Sequence, residues 1–525
     1  MENEVEFMER SSGILMHISS LPSKYGIGTF GKEAFKFVDF LKKAGQRYWQ
    51  ILPLGQTSYG DSPYQSFSAF AGNPYFIDFD ILEEEGFLRK EDYDDLDYGS
   101  DEKRVDYAKL FISRYKVLRK AFENSKNIDR KEFEDFKLEN KFWLEDYSLY
   151  MAVKNYFNLV SWQEWDDDIR LRKKSALEHY KKTLKEEIEY WSFIQYLFFK
   201  QWRKLKKYAN DNGIEIIGDI PIYVAEDSAD VWSNPKYFNL DENLVPKTVA
   251  GVPPDAFTED GQLWGNPIYN WDNLEKDGYS WWVDRMRESF KLYDVVRIDH
   301  FRGFESYYEV PYGNKTAKIG KWKKGPDVKL FNAIKDALGE VKIIAEDLGY
   351  MTEAVIKMRE ATGFPGMRIL QFAFGDGDSQ DLPHNYPENC VAYTGTHDNE
   401  TIMGWYNSVG EKERKKAIKY LNLTYDEGIA QGMLRGIWGS KAYLAIATMQ
   451  DLLSLGKEAR MNIPSTLGGN WTWRASRKDI NDKLAEKLFE MTKLYGRLNK
   501  FKFEKEILVE EKDEFKEDNI AKLTK

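Results

Sequence analysis

The chain has 525 residues, 42% hydrophobic and 31% charged, enough apolar content for a sizeable core and too much for a disordered polymer. Its 76 basic and 87 acidic side chains leave a net charge of −11, which argues against nucleic acid or an anionic membrane surface as the main partner. No apolar run approaches the ~20 residues that span a bilayer, residues 1–10 carry four glutamates and no secretory apolar segment, and the single cysteine, Cys390, has no intrachain partner, so a cytoplasmic location is expected. Short β-rich runs recur at 13–18, 48–54, 215–224, 294–299, 341–345, 367–374, 390–394 and 460–463. They show little strict alternation, as expected of parallel strands buried on both faces. Helical patterns lie between them, for example at 33–44, 352–361 and 442–455. Eight strands with intervening helices predict an α/β protein with a (β/α)8 TIM barrel; an open doubly wound sheet is the alternative.

The spacing of the runs is uneven. About 160 residues separate the second and third, far more than one connection needs. That stretch is charged and helical in pattern, and a helical insertion subdomain is expected over 80–210. A second, loop-rich insertion is expected over 225–290, and helices over 475–525. The whole of 1–525 is read as a single catalytic domain carrying these insertions. Five histidines and the absence of HExxH, CxxC and Walker A patterns give no expectation of a metal or cofactor. Gly26-Ile27-Gly28-Thr29-Phe30-Gly31 matches a dinucleotide fingerprint, but the next strand ends in Gly55-Gln56-Thr57 without the acidic residue that would bind ribose. The 80 aromatic side chains fit either a large core or sugar stacking, since ring faces pack on the C–H face of pyranoses.

Three strands end in acids. Asp299 closes 294–299, with Arg297 two residues earlier and therefore on the same face. Glu346 follows 341–345, and His397-Asp398 follow 390–394; Asp219 lies inside the third strand. If the strand list holds, these are strands four, five and seven of a barrel, opening on one mouth. Retaining glycoside cleavage uses two carboxyls about 5–5.5 Å apart, one ionised as nucleophile and one protonated as acid. A neighbouring Arg keeps the first ionised, and burial keeps the second protonated. A single strand-end Asp is more often a helix cap; three together, with Arg and His beside them, favour chemistry.

At these residues the chain resembles the α-amylase clan, and more closely the 4-alpha-glucanotransferases (amylomaltase or disproportionating enzyme, glycoside hydrolase family 77). The matching text includes Ser20-Leu21-Pro22-Ser23-Lys24-Tyr25-Gly26-Ile27-Gly28, Ser62-Pro63-Tyr64-Gln65, Gly218-Asp219-Ile220-Pro221, Gly251-Val252-Pro253-Pro254-Asp255, Gly261-Gln262-Leu263-Trp264-Gly265-Asn266-Pro267, Arg297-Ile298-Asp299-His300, Thr396-His397-Asp398-Asn399 and Gly469-Asn470-Trp471-Thr472-Trp473-Arg474. The resemblance spans nearly the whole chain. It implies Asp299 as nucleophile, Glu346 as general acid/base and Asp398 as transition-state stabiliser. It further implies that Arg297, His397, Asp219 and Tyr64 surround the −1 sugar, and that Trp264 and Asp255 line the glucan groove. No nucleotide cofactor and no separate C-terminal β-domain are implied. The expected partners are maltooligosaccharides, amylose or starch- and glycogen-derived glucans, with glucose as an acceptor. An α-glucan hydrolase with the same three acids and a non-catalytic glucan-binding protein are the alternatives.

Overall fold

The computed structural model describes residues 9–58, 60–126, 130–254, 258–349 and 351–500. Eight parallel strands form one sheet: β1 (Ser11–Leu15), β2 (Tyr48–Gln50), β3 (Glu215–Pro221), β6 (Val295–Asp299), β9 (Ile343–Ala345), β10 (Gly366–Ile369), β11 (Cys390–Tyr393) and β12 (Leu444–Thr448). Their order is β10-β11-β12-β1-β2-β3-β6-β9. The two ends of this sheet meet, because Ala345 N–H donates to Pro365 O at 2.9 Å. The sheet is therefore a nearly closed barrel, and the open alternative is set aside.

Side-chain parity explains both the packing and the site. Inside the barrel, Leu15, Tyr48, Ile217, Val295, Ile344, Met367, Val391 and Leu444 form a separate apolar cluster. The opposite parity, including Ile14, Trp49, Ile216, Val296, Ile343 and Ala445, packs into the outer core against the helices. One step further along the inward rows the apolar filling stops. Ile217 is followed by Asp219, Val295 by Arg297 and Asp299, and Ile344 by Glu346. The fold thus stacks a greasy floor under a charged mouth at the C-terminal strand ends.

The eighth strand is a correction. The run 460–463 is loop, and the strand is Leu444–Thr448, inside the segment expected to be helix. Ala-rich Leu444-Ala445-Ile446-Ala447 has no β-specific composition and leads directly into the helical turn Met449–Leu452, so one helix absorbed both in the sequence pattern. Among the described residues no strand follows β12.

Between β2 and β3 the chain is helical, including Tyr107–Ser125, Lys141–Tyr156 and Lys185–Asp211. Lys154, 2% exposed, ties this region to the loop after β3 through Asp227 at 2.5 Å. Beyond β3 stands a four-stranded antiparallel sheet ordered β5-β4-β7-β8, made of β4 (Thr248–Val252), β5 (Gln262–Pro267), β7 (Ser306–Pro311) and β8 (Lys321–Lys324). The helix Ser280–Leu292 returns the chain to β6. Of 475–525, expected to be helical, Asp482–Leu494 forms a helix that packs on Lys32–Lys43, 475–481 and 495–499 are turn and loop, and 501–525 lie outside the described residues. The glycines of the dinucleotide-like loop serve packing: a Cβ on Gly28 would lie 1.8 Å from Ile18 O, and one on Gly31 2.0 Å from Asp78 Oδ2. Cys390 is buried on β11, opposite Gly366 of β10, with its thiol donating to Pro387 O.

Candidate active site

The charged mouth is built around Arg297. Asp219 and Arg297 face each other in register across β3 and β6. Arg297 Nη1 donates to both Asp219 oxygens, at 2.8 and 2.6 Å, and Nη2 lies 3.0 Å from Asp299 Oδ1. Asp219 is fully buried and Arg297 nearly so, while the Asp299 side chain is 30% exposed to the cleft. Burial opposes the Arg297 charge, but Asp219 and Asp299 outweigh it and hold the guanidinium firmly protonated. Tyr64 OH donates to Asp219 Oδ2 at 2.8 Å, which completes that carboxylate.

Glu346 sits one residue past β9. Its Oε2 accepts the His300 N–H at 2.7 Å and its Oε1 the Leu348 N–H at 2.9 Å. His300 can offer that N–H because its backbone is left-handed, at φ 53° and ψ 47°. Burial first, then the negative charge of Asp299, pushes Glu346 up to about 7. Burial also raises Asp299, to about 6, against the pull of Arg297. The two acids titrate as a pair, and the Arg297 contact places the first negative charge on Asp299.

Asp398 lies on the loop after β11 and faces the same space. Asn462 Nδ2 donates to its Oδ1 at 2.6 Å, and His397 Nε2 is 3.4 Å from its Oδ2. Burial works to raise this acid, but His397 and Asn462 overcome it and hold Asp398 well below the usual carboxylate range. Asp398 in turn lifts the His397 imidazole, overcoming the effect of burial. The His397 ring stacks on Tyr64 at 5.2 Å between centroids, with Trp471 beside both at 5.9 Å. Across the mouth, Trp264 on β5 meets His300 edge-on at 4.7 Å, and burial keeps that histidine neutral, near 3.

The structure therefore brings together Asp299, Glu346, Asp398, Arg297, His397, Asp219 and Tyr64, with Trp264 at the edge. Asp255 lies outside the described residues. Sequence reasoning missed Asn462, Trp471 and the His300 backbone. Trp471 is visible in the sequence only within the family text, and Asn462 falls in the run 460–463 expected to be a strand. Beside this mouth runs a cavity of about 970 Å³, lined among others by Gln56, Gln65, Phe67, Tyr107, Phe111, Trp191 and Trp264. Ring faces alternating with amides suit a chain of pyranoses. Among the described residues no cluster of three or more His, Cys, Asp or Glu could hold a metal ion.

Barrel, paired strand-end acids and aromatic cleft together define an α/β-barrel enzyme of glycosidic-bond chemistry. A family model described as 4-alpha-glucanotransferase matches residues 16–479. A 4-alpha-glucanotransferase of Clostridium butyricum is 59% identical over 486 residues, covering 92% of this chain and all of that one. One from Streptococcus pneumoniae serotype 4 is 57% identical over 495 residues, covering 94% and 98%. The amylomaltase from Streptococcus agalactiae, solved in complex with acarbose, superposes with a TM-score of 0.92 at 48% identity, covering 93% and 100%. The chain belongs to the 4-alpha-glucanotransferase family. It is an enzyme that transfers α-1,4-glucan segments with retention at the anomeric carbon.

Proposed function

We propose that Asp299, Glu346 and Asp398 divide this reaction between them. Asp299 attacks the anomeric carbon of the −1 glucose while Glu346 gives its proton to the departing glycosidic oxygen. The reducing-end piece leaves as an alcohol, and the rest of the donor stays as a β-glucosyl ester of Asp299. Glu346, now ionised, takes the proton from the 4-OH of an incoming glucan or glucose. That oxygen attacks the anomeric carbon, the bond from that carbon to the Asp299 oxygen breaks, and Asp299 leaves as a carboxylate. Asp398, held ionised, takes up the 2- and 3-hydroxyls as the ring flattens and positive charge develops. Arg297 keeps Asp299 available as an anion, and Tyr64 and His397 give the −1 ring its apolar and polar walls.

The observation that carries this reading is the unlike surroundings of the two acids, a guanidinium on Asp299 and, among the described residues, only backbone N–H groups on Glu346. One acid is gripped by a guanidinium at 3.0 Å, and the other is raised to about 7 by burial and the neighbouring charge. Transfer outruns hydrolysis when the acceptor displaces water from the ester, and the aromatic cleft supplies acceptor binding. The donors and acceptors proposed are maltooligosaccharides and longer α-1,4-glucans, with glucose as the smallest acceptor. A cytoplasmic location belongs to the same reading. It is supported by the single, unpaired cysteine.

Maltotriose alone, with EDTA present, is the test. Glucose together with a ladder of longer maltooligosaccharides is expected. Glucose and maltose alone, with reducing ends rising, would replace the transferase with a hydrolase. Asp299→Asn should lower the rate by about 10³-fold or more; wild-type activity in that variant would remove Asp299 from the mechanism.

A further inference from the structure

Asp398 lies five residues past the last residue of β11, so no strand ladder fixes its backbone. What holds it comes from a distant segment. Asn462 Nδ2 donates to Asp398 Oδ1 at 2.6 Å, Asn462 N–H donates to His397 O at 3.1 Å, and Arg460 Nη2 donates to the Asp398 carbonyl at 2.8 Å. The segment is itself braced. Arg460 Nε donates to Asn462 O at 2.8 Å, and Trp471 N–H donates to Met461 O at 2.7 Å. Backbone and side chain of one asparagine thus grip both members of the His397-Asp398 pair. The other groups facing Asp398 are His397 itself, Arg297 and Asp299 from β6, and Tyr64 from the loop after β2. None of these is placed on Oδ1, which is held by the amide.

We propose that Asn462 is a positioning residue. Its amide fixes the Asp398 carboxylate in one rotamer, ionised and aimed at the −1 sugar, before substrate arrives. An asparagine suits the task because it donates without carrying charge; a Lys would neutralise Asp398 and a carboxylate would share its proton. The inference rests on the role given to Asp398 above. Asp398→Asn is therefore measured in parallel: activity retained there overturns that role and leaves the Asn462 results to be read separately.

The experiment is steady-state disproportionation of maltotriose by Asn462→Ala and Asn462→Asp. The alanine variant is expected to lose about 10- to 100-fold in kcat with KM within about threefold of wild type, because an oriented group is lost while binding contacts remain. The aspartate variant is isosteric and can donate only when protonated. Its kcat relative to wild type should rise as pH falls from 8 to 5 by at least about tenfold, and no simple packing role moves that ratio. Wild-type kcat in the alanine variant would overturn the proposal. So would a raised KM with unchanged kcat, which would make Asn462 a sugar ligand, or a pH-independent ratio in the aspartate variant. If the alanine variant fails to fold, the aspartate profile alone decides.

Discussion

One guanidinium serves two carboxylates at the end of β6, and its shape is what allows it. The planar fork of Arg297 reaches both oxygens of Asp219 with one nitrogen and Asp299 with another. An ammonium could not span both, so Arg297→Lys should lower kcat on maltotriose at least about a hundredfold while leaving the fold intact by circular dichroism. Asp219→Ala acts differently. It leaves a nearly buried guanidinium with only its partly exposed partner, and breaking such a pair costs about 3–5 kcal/mol, read as a fall in Tm by calorimetry. The acid pair sets the pH profile. In the roles proposed for them, Asp299 takes a proton below about 6 and would cease to be a nucleophile, and above about 7 Glu346 loses the proton it would donate. The profile of kcat/KM should be a narrow bell with its maximum between those values, and its two limbs report the pair jointly. A flat profile from pH 5 to 9 would contradict the assignment of either acid.

Among the elements, the barrel seam between β9 and β10 bears most directly on the site. Asp347, adjacent to Glu346, accepts the Met367 N–H at 2.7 Å and lies beside Arg359. A Cβ on Gly366 would stand 2.2 Å from Asp347 Oδ2. Gly366→Ala should therefore push Asp347 out, destabilise the protein by about 1–3 kcal/mol in urea unfolding, and lower kcat through the displaced Glu346. Seven of the eight barrel strands were legible in the sequence because Val, Ile and aromatic residues mark them and acids end several of them. β12 was not, because alanine speaks for helix and its burial comes only from the neighbours that close around it. The antiparallel sheet was not legible either. Gly251, Gly265, Pro267 and Pro311 interrupt its short strands, and a register shift falls between Val249 and Gly251, so it reads as loop. The carboxylates that gather at the barrel mouth were legible from strand ends. Asn462 was not, since its partner is 64 residues away and only the folded chain brings them together.

Over the whole molecule, the helical region between β2 and β3 is fastened to the barrel by hydrogen bonds such as Trp202 Nε1 to Leu292 O and by ion pairs, among them Lys206–Asp294 and Lys154–Asp227, whose lysine is 2% exposed. Asp227 also accepts Tyr150 OH and the Trp162 N–H, so one carboxylate gathers two helical segments onto the loop beyond Asp219. Lys154→Met should loosen that docking by about 1–3 kcal/mol, because Asp227 is one-third exposed and partly screened. Hydrogen exchange should rise in Lys141–Tyr156, and KM for amylose should rise more than KM for maltotriose, since the long cleft is walled by that region.

The lone thiol of Cys390 gives the molecule a built-in clock. It is 1% exposed, pushed up to about 12 by burial, and placed on the strand that pairs with the seam strand β10. No second cysteine competes for reagent. Alkylation of the native protein therefore proceeds only through openings that part this edge of the barrel, and its rate, divided by that of the unfolded chain, reads the free energy of those openings directly.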